Sequence, residues 1–214
     1  MSAESGKLLN KLEIPENQIP VNEIFTSVQG EGFHHGKAAF FIRFAGCDIG
    51  CIWCDSKDAW SMEESDLMFI DDIVAQSIES KLDLVVITGG EPLIYDLSKL
   101  TNALVNQGKK IHIETSGAYP IFSKFDWLSL SPKKVHLPHQ DVYHKANELK
   151  IVVNDSTDLA FAQQESEKVN ADCHLFLQPQ WKQLKQSLPS ILEFIKINPS
   201  WRLSLQNHKF LGIK

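Results

Sequence analysis

The sequence predicts an α/β protein in which strands and helices alternate around a mostly parallel sheet. Three observations predict this class: short apolar runs rich in β-branched residues recur along the chain, helix-period segments follow them, and polar or glycine-containing turns stand directly after the strands. A strand, a helix and another strand form the unit of a parallel sheet. The sheet is either open or curved into a full or partial barrel, and in both cases ligands bind at the carboxyl ends of the strands.

The predicted elements follow in order along the chain. Ala39–Phe44 and Leu84–Thr88 predict buried strands, and the apolar residues of Ile70–Ser80 recur at helical spacing. Asp96 can cap a helix over Leu97–Gln107. The remaining predicted elements are strands at Lys110–Glu114, Trp127–Leu130, Glu148–Val153, His174–Gln178 and Arg202–Gln206, and helices at Ser156–Lys168 and Ser187–Ile197.

Length, charge and hydropathy set the domain organisation and exclude several classes of protein. We expect residues 1–20 to form a flexible tail and residues 21–214 to form one domain, because 214 residues suit a single ample core. The first twenty residues hold no signal-peptide core, and no apolar run approaches the ~20 residues that span a bilayer. This predicts a cytoplasmic protein without a membrane partner. A formal charge of −6 argues against direct binding of nucleic acid.

Three of the four cysteines fall within eight residues. Cys47, Cys51 and Cys54 have the spacing C-x3-C-x2-C after a strand, while Cys173 is remote and is expected to be a buried thiol. In a reducing compartment such a group indicates metal binding or catalysis before disulfides. Structural zinc requires a fourth ligand, which is not nearby in sequence. Three thiolates suit a [4Fe–4S] cluster with one open iron, and zinc remains the alternative.

Two motifs together resemble the radical S-adenosylmethionine superfamily. They are the cysteine triplet and Gly89-Gly90-Glu91-Pro92, and each follows a predicted strand. In that superfamily the amino and carboxylate groups of S-adenosylmethionine chelate the open iron. The resemblance implies a partial (β/α) barrel with a curved, mostly parallel sheet, a [4Fe–4S] cluster on Cys47, Cys51 and Cys54, and S-adenosylmethionine as cofactor. It also implies a reductant such as flavodoxin or ferredoxin.

Further segments resemble one branch, the 7-carboxy-7-deazaguanine synthases of 7-deazapurine and queuosine biosynthesis. They are Asn22–Gly32 with its Gln-Gly-Glu-Gly ending, Phe41–Phe44, Trp53–Asp55, Ser131–Lys133, Glu148–Val153, Gln178-Pro179 and Trp201–Lys209. The resemblance runs from about residue 21 to the end of the sequence. It implies a homodimeric lyase that converts the small molecule 6-carboxy-5,6,7,8-tetrahydropterin to 7-carboxy-7-deazaguanine and ammonia by radical ring contraction.

The resemblance also implies the residues of the site. Substrate contacts are expected from Val28, Gln29, Gly30, Arg43 and Thr88. The S-adenosylmethionine site is expected to be lined by Trp53, Cys54, Asp55, Gly90, Glu91, Ser131, Pro132, Lys133, Gln178, Pro179, Gln180 and Trp181. Ser56, where the family usually has threonine, is expected to bind Mg²⁺ through its hydroxyl.

Arg43 completes the expected catalytic set with the three cysteines. It interrupts an apolar strand, and a buried guanidinium needs an anionic or hydrogen-bonding partner. That partner is either the substrate carboxylate, held as a bidentate fork, or a structural acid. The residues alone leave both possibilities open, and the family resemblance favours the substrate.

Two other functions share part of this pattern. An activase for a glycyl-radical enzyme would contain both motifs, but it does not predict the Gln-Gly-Glu-Gly segment or the Ser-Pro-Lys turn. A zinc or iron–sulfur binding protein without radical chemistry would need only the cysteines. Product analysis and metal analysis distinguish these alternatives from the synthase.

Overall fold

The computed structural model of the protein describes residues 14–62 and 65–214. Its strands are β1 (Gln18–Val28), β2 (Ala38–Phe44), β3 (Asp66–Phe69), β4 (Leu84–Gly89), β5 (Lys110–Thr115), β6 (Trp127–Leu130), β7 (Glu148–Val153), β8 (His174–Pro179) and β9 (Trp201–Leu203). Its helices are α1 (Ile70–Glu79), α2 (Ser98–Asn106), α3 (Gln140–Lys145), α4 (Thr157–Ser166), α5 (Leu184–Ile197) and α6 (Asn207–Leu211). None of these helices is long and apolar enough to cross a bilayer.

One sheet contains all nine strands of the described residues, in the order β3-β1-β2-β4-β5-β6-β7-β8-β9. Neighbouring strands pair in parallel along β2-β4-β5-β6-β7-β8-β9, whereas β1 is antiparallel to both β2 and β3. Because β3 and β9 lie at opposite edges, the sheet is not closed. The predicted α/β class with a mostly parallel, partial barrel is therefore confirmed.

The two faces of the sheet differ in polarity. On β7, Leu149, Ile151 and Val153 belong to the main hydrophobic core together with residues of the helices. Glu148 and Lys150 alternate with them and point to the other face, because successive side chains of a strand point to opposite sides. The main apolar core therefore lies between the sheet and the helices. The opposite, concave face carries polar side chains on β7 and a small apolar cluster of Ala39, Phe41 and Val86 on β2 and β4.

The segment after β1 crosses the concave face and contacts strands that are far apart in the sheet. The Phe33 backbone N–H donates to Glu148 Oε2 at 2.9 Å, and the Gly32 N–H donates to Ser204 Oγ at 3.1 Å. Gly32 has φ +64°, and a Cβ there would lie 2.4 Å from Glu148 Oε1, so only glycine fits. The Phe33 ring stacks on Trp127, at the amino end of β6, with 4.5 Å between the ring centroids.

Several boundaries differ from those predicted. The expected tail is wrong for its last three residues, which belong to β1: Ile19 is 4% exposed and pairs with Met68 of β3. Residues 1–13 lie outside the described residues. The predicted strand Arg202–Gln206 ends at Leu203, and the hydroxyl of the next residue, Ser204, donates to Gln178 Oε1 at 2.8 Å. Asp96 accepts the Ser98 N–H at 2.9 Å and lies one residue ahead of the N-cap.

Candidate active site

A cavity of about 420 Å³ lies at the carboxyl ends of the parallel strands. The turns after β2, β4, β5, β6 and β8 all contribute to its lining, as the sequence predicts. Among the described residues it is lined by every predicted site residue except Pro132 and Pro179, which are buried outside it. A cavity of this volume is of the size that holds a small ligand.

The three clustered cysteines lie on the loop after β2 and line the cavity as free thiols. Gly46 and Gly50 have φ of +92° and +69°, so the loop turns where other residues would be strained. Within 14–62 and 65–214, no three His, Cys, Asp or Glu side chains are placed to hold a single metal ion. Three separate thiols on one loop are the donor set of an iron–sulfur cluster, and they fit it.

The environment of Cys47 and Cys51 disfavours the free thiolate. Burial raises the pKa of Cys47 to about 11, and burial also raises the pKa of Cys51, although the nearby Lys133 ammonium opposes that rise. Cys54 Sγ accepts from Trp60 Nε1 at 3.3 Å and from the Ser56 N–H at 3.4 Å. Metal binding displaces thiol protons, so these cysteines become thiolates when they are coordinated.

The glycines of the second motif hold the cysteine loop in place. The Gly90 N–H donates to the Phe44 carbonyl at 2.9 Å, and the Glu91 N–H donates to the Gly46 carbonyl at 2.9 Å. A Cβ on Gly90 would lie 2.1 Å from the Gly46 oxygen, and one on Gly89 would lie 2.3 Å from the Phe44 nitrogen. The absence of a side chain at these two positions therefore allows the end of β2 and the start of the cysteine loop to approach closely.

Glu91 is 1% exposed, and both of its carboxylate oxygens are held by protein donors. Oε1 accepts from the Leu93 N–H at 3.0 Å and from Thr115 Oγ1. Oε2 accepts from the Ser116 N–H at 2.8 Å and from the Ser116 hydroxyl. Glu91 thereby fixes the end of β4 to the end of β5 at the rim of the cavity.

Arg43 forms the structural ion pair that the sequence left open as an alternative. Its Nε lies 2.9 Å from Glu23 Oε1 across β1 and β2, and its Nη1 donates to Ser56 Oγ at 3.0 Å. The guanidinium also lies over the Phe25 ring, 5.7 Å from its centroid. Arg43 still lines the cavity, so the pair with Glu23 places a fixed cation at its wall.

The floor of the cavity is a hydrogen-bonded set centred on Glu114. Gln29, which is 4% exposed, donates from Nε2 to Glu114 Oε1 at 2.9 Å and accepts the Glu31 N–H at 3.1 Å. Thr88 Oγ1 donates to Glu114 Oε2 at 3.0 Å. The predicted substrate residues Gln29 and Thr88 therefore converge on an acid that the sequence analysis missed.

Lys150 is the second floor residue that the sequence analysis missed. Its Nζ donates a hydrogen bond to Glu31 Oε2 and lies 4.0 Å from Glu114 Oε1. Burial acts against its charge, but the carboxylates of Glu31, Glu114 and Glu148 outweigh that effect and raise the pKa of Lys150. The sequence did contain a signal for Lys150. Strands of a parallel sheet are covered on both faces, so charged residues at alternate positions of Glu148–Val153 indicate a polar interior.

The segment that contains α6 joins the floor to the cysteine loop. Gln206 Nε2 donates both to Glu31 Oε1 at 2.9 Å and to Asp55 Oδ2 at 3.0 Å. Asp55 also pairs with Lys209, and the Asn207 N–H donates to the Gly30 carbonyl at 3.1 Å. Residues more than 150 positions apart in the chain thus meet at one wall of the cavity.

Comparison with known proteins identifies the family. Residues 41–153 match the model of the radical SAM superfamily. A 7-carboxy-7-deazaguanine synthase from Flavobacterium psychrophilum is 43% identical over 91% of this chain and 92% of its own length. The synthase of the same name from Synechocystis is 44% identical over 91% of this chain and 93% of its own length. The chain belongs to the 7-carboxy-7-deazaguanine synthase family.

A solved structure agrees with this assignment. The crystal structure of QueE from Escherichia coli matches with a TM-score of 0.81 and 30% identity, covering 97% of this chain and all of that one. As a radical SAM member of the 7-carboxy-7-deazaguanine synthase family, the chain is a lyase that uses a [4Fe–4S] cluster and S-adenosylmethionine. The glycyl-radical activase alternative finds no support among these matches.

The wall that this family member is expected to offer its cofactor is built from residues of three strand ends. Lys133 Nζ donates to the carbonyl and hydroxyl oxygens of Ser131 at 2.6 Å each and lies 5.4 Å from the Trp53 ring. Gln178 Oε1 accepts from Ser204 Oγ at 2.8 Å. Gln180 Oε1 accepts the Gln183 N–H at 3.0 Å, which caps the turn that begins at Trp181. These side chains are held by the protein before any ligand arrives.

Proposed function

We propose that this chain is a 7-carboxy-7-deazaguanine synthase that converts 6-carboxy-5,6,7,8-tetrahydropterin to 7-carboxy-7-deazaguanine with release of ammonia. One observation carries the proposal: a single cavity contains both the cysteine triplet and the Gln29–Glu31 floor. The floor segment distinguishes this family from other radical enzymes that share the two motifs. Relatives of that name cover the chain almost completely, which supports the same reading.

Each cofactor has a set of residues that fits it. Cys47, Cys51 and Cys54 would hold the cluster, and the wall formed by Trp53, Lys133 and the β8 end would hold S-adenosylmethionine. When bound, the cluster supplies the electron for reductive cleavage of S-adenosylmethionine, which generates the radical that starts the ring contraction. The protein would position the reacting atoms.

The substrate would lie between the floor and the Arg43 wall. The Glu31 and Glu114 carboxylates are acceptors suited to the N–H groups of a pterin ring edge. Arg43 pairs with Glu23 and would also bind the substrate carboxylate. Its guanidinium would then contact two carboxylates. Val28, Gly30 and Thr88 also line this part of the cavity.

Ser56 is the proposed protein ligand of Mg²⁺. Its hydroxyl lines the cavity and accepts from Arg43 Nη1, and a hydroxyl oxygen has a further lone pair for a hard cation. We expect turnover to fall when Mg²⁺ is removed. Ser56→Ala should raise the Mg²⁺ concentration for half-maximal activity, and Ser56→Thr should not. Undiminished activity without Mg²⁺ would contradict the assignment.

The physiological setting is proposed on the family resemblance. A homodimer in the cytoplasm, reduced by a flavodoxin or ferredoxin, is expected. Ile52 is 89% exposed beside Cys51, which leaves the cysteine loop accessible to an electron donor. Sedimentation of the purified protein tests the dimer, and turnover with reduced flavodoxin in place of dithionite tests the donor.

Anaerobic product analysis tests the proposed function. The reconstituted protein is incubated with S-adenosylmethionine, dithionite and the tetrahydropterin, and 7-carboxy-7-deazaguanine is the expected product. Cys51→Ala should abolish cofactor cleavage while the circular dichroism spectrum is retained. Cys173→Ala is the matched control, because Cys173 is a buried thiol that does not line the cavity. Cofactor cleavage without the deazaguanine, or zinc in place of iron, would refute the proposal.

A further inference from the structure

Lys150 is a buried cation to which neither the cofactor site nor the family resemblance assigns a role. It lies on β7 with a side chain only 6% exposed, and it points to the concave face between the cavity and Glu148. Its Nζ contacts Glu31 on one side and lies 4.0 Å from Glu114 on the other. A buried ammonium with two carboxylates is a costly arrangement, so its presence calls for a reason in the site.

The two carboxylates would oppose one another without this cation. Gln29 donates to Glu114 Oε1 and accepts the Glu31 backbone N–H, and Lys150 Nζ reaches the carboxylates of both residues. Both acid groups therefore lie near one ammonium, and their side chains are only 14% and 24% exposed. Two neighbouring carboxyl groups in such a region do not both stay ionised unless a cation is present. A protonated carboxyl would become a donor and could no longer accept from a ligand N–H.

We propose that Lys150 is a positioning residue that keeps Glu31 and Glu114 ionised as paired acceptors, so that the cavity selects a ring edge with two N–H donors. The edge is the amino-pyrimidinone edge of a pterin, and this part rests on the proposed function. Lys150 acts through the two acids and does not itself contact the substrate. It determines which hydrogen-bonding pattern the floor can read.

Other charged groups near the pair are already occupied or lie on other walls. The Glu148 carboxylate accepts from Ser129 Oγ at 2.7 Å, from Trp127 Nε1 at 3.2 Å and from the Phe33 N–H. Among the described residues, the titratable and charged groups that face this region from the neighbouring elements are Glu23, His34, Arg43, Asp55, Glu91, His112, Lys133, His208, Lys209 and Lys214. Lys133 is held by Ser131, Lys209 by Asp55, and both Arg43 and Lys214 by Glu23, which leaves Lys150 as the cation at the pair.

The experiment measures binding of 6-carboxypterin, a fluorescent oxidised pterin with the same ring edge, to the reconstituted holoenzyme. Lys150→Met removes the charge at similar length and Lys150→Arg keeps it. We expect Lys150→Met to raise Kd about tenfold or more at pH 8, the size of one lost charge-assisted hydrogen bond. Its Kd should rise further toward pH 6, as one carboxyl takes up a proton, whereas the wild-type Kd stays flat.

Controls separate positioning from a structural role. Lys150→Arg should restore the wild-type Kd within about threefold. Lys110→Met removes a surface lysine whose side chain is 70% exposed, and it should leave Kd and its pH profile unchanged. Cofactor cleavage without substrate should also be unchanged in Lys110→Met. If Lys150→Met does not fold, the double variant Glu114→Gln/Lys150→Met is used instead, because it removes one charge of each sign. This double variant should fold, and it should bind 6-carboxypterin weakly with a Kd that does not depend on pH.

The outcomes are distinct. Wild-type affinity and a flat pH profile in Lys150→Met, or wild-type affinity in the double variant, would overturn the inference. Loss of cofactor cleavage and of thermal stability with unchanged Kd would show a structural role and would also overturn it. Failure of the wild-type holoenzyme to bind 6-carboxypterin counts against the inference. Pterin binding without deazaguanine formation counts against the proposed function alone.

Discussion

Replacement of Glu91 by glutamine should destabilise the protein in a way that follows from its contacts. Each carboxylate oxygen accepts one backbone N–H and one hydroxyl: Leu93 and Thr115 donate to Oε1, and both donors of Ser116 reach Oε2. A hydroxyl can rotate to accept from an amide, but a backbone N–H cannot. Whichever way the glutamine amide is turned, its NH₂ group therefore faces a fixed donor.

The expected cost can be worked from these bonds. A hydrogen bond to a charged acceptor contributes about 1.5–3 kcal/mol, and a buried donor left without a partner costs about 1–3 kcal/mol. Glu91 is 1% exposed, so water does not compensate for either loss. We expect Glu91→Gln to lower the free energy of unfolding by roughly 3–5 kcal/mol. For a chain of this length, that corresponds to a Tm lower by about 6–20 °C.

Urea and thermal unfolding of the cluster-free protein, followed by circular dichroism, measure this loss. Glu193→Gln is the matched control, because Glu193 pairs with Lys196 on the surface with a side chain that is 73% exposed. That control should change the free energy of unfolding by less than about 0.5 kcal/mol. A loss below about 1 kcal/mol in Glu91→Gln would refute the argument that its four bonds hold the rim together.

Three further predictions concern the loop and the acid range. Gly90→Ala places a Cβ against the Gly46 carbonyl, so iron content after reconstitution should fall at least ~10-fold while the circular dichroism spectrum is kept. Burial lowers the pKa of His112 to about 3, so the wild-type protein loses stability as the pH falls from 6.5 to 3. His112→Gln should reduce the dependence of the free energy of unfolding on pH in this range by up to ~1.4 kcal/mol per pH unit. Burial opposes ionisation of Asp55, but the Lys209 ammonium outweighs that effect and lowers the pKa of Asp55 below 3.8. Asp55→Asn should therefore lower the free energy of unfolding at pH 7. The difference in stability between the variant and the wild type should vanish as the pH falls through the lowered pKa.

Each of these predictions has a contrary result. Gly36→Ala is the control for backbone strain away from the loop: Gly36 has φ +87°, but a Cβ there meets no atom within 4 Å, so this variant should keep its iron content. Equal iron content in Gly90→Ala would show that the loop does not depend on close approach. Unfolding curves measured from pH 7 to pH 2.5 would contradict the other two if the His112 variant kept the wild-type slope or the Asp55 variant kept its deficit in acid.

The strands that the sequence predicted are those whose residues face the apolar core. Leu84–Thr88 and Trp127–Leu130 were recognised because their apolar side chains carry the signal. β1 was missed because Pro20, Asn22 and Glu23 interrupt its pattern, and because its stability comes from pairing with two antiparallel neighbours. That pairing is a long-range property which local periodicity does not contain.

The site divides in a similar way. The cysteines and the Gly89–Pro92 turn were found because their chemistry is contained in a short segment. Glu114 and Lys150 were missed because no local pattern gives either side chain a role, which each acquires only when the Gln29 segment crosses the concave face. The fold class and the cavity rim therefore followed from the sequence, whereas the pairing of Lys150 with the acids of the floor required the tertiary structure.

The polar concave face has a consequence for how enzymes of this kind can diverge. Free energy for folding comes mainly from the apolar layer between sheet and helices, where residues such as Ile113 and Leu149 are fully buried. Side chains on the opposite face, such as Glu114 and Lys150, are paired ions with little net effect on stability. Substrate range can therefore change by compensated exchanges on the inner face while the scaffold keeps its margin of stability.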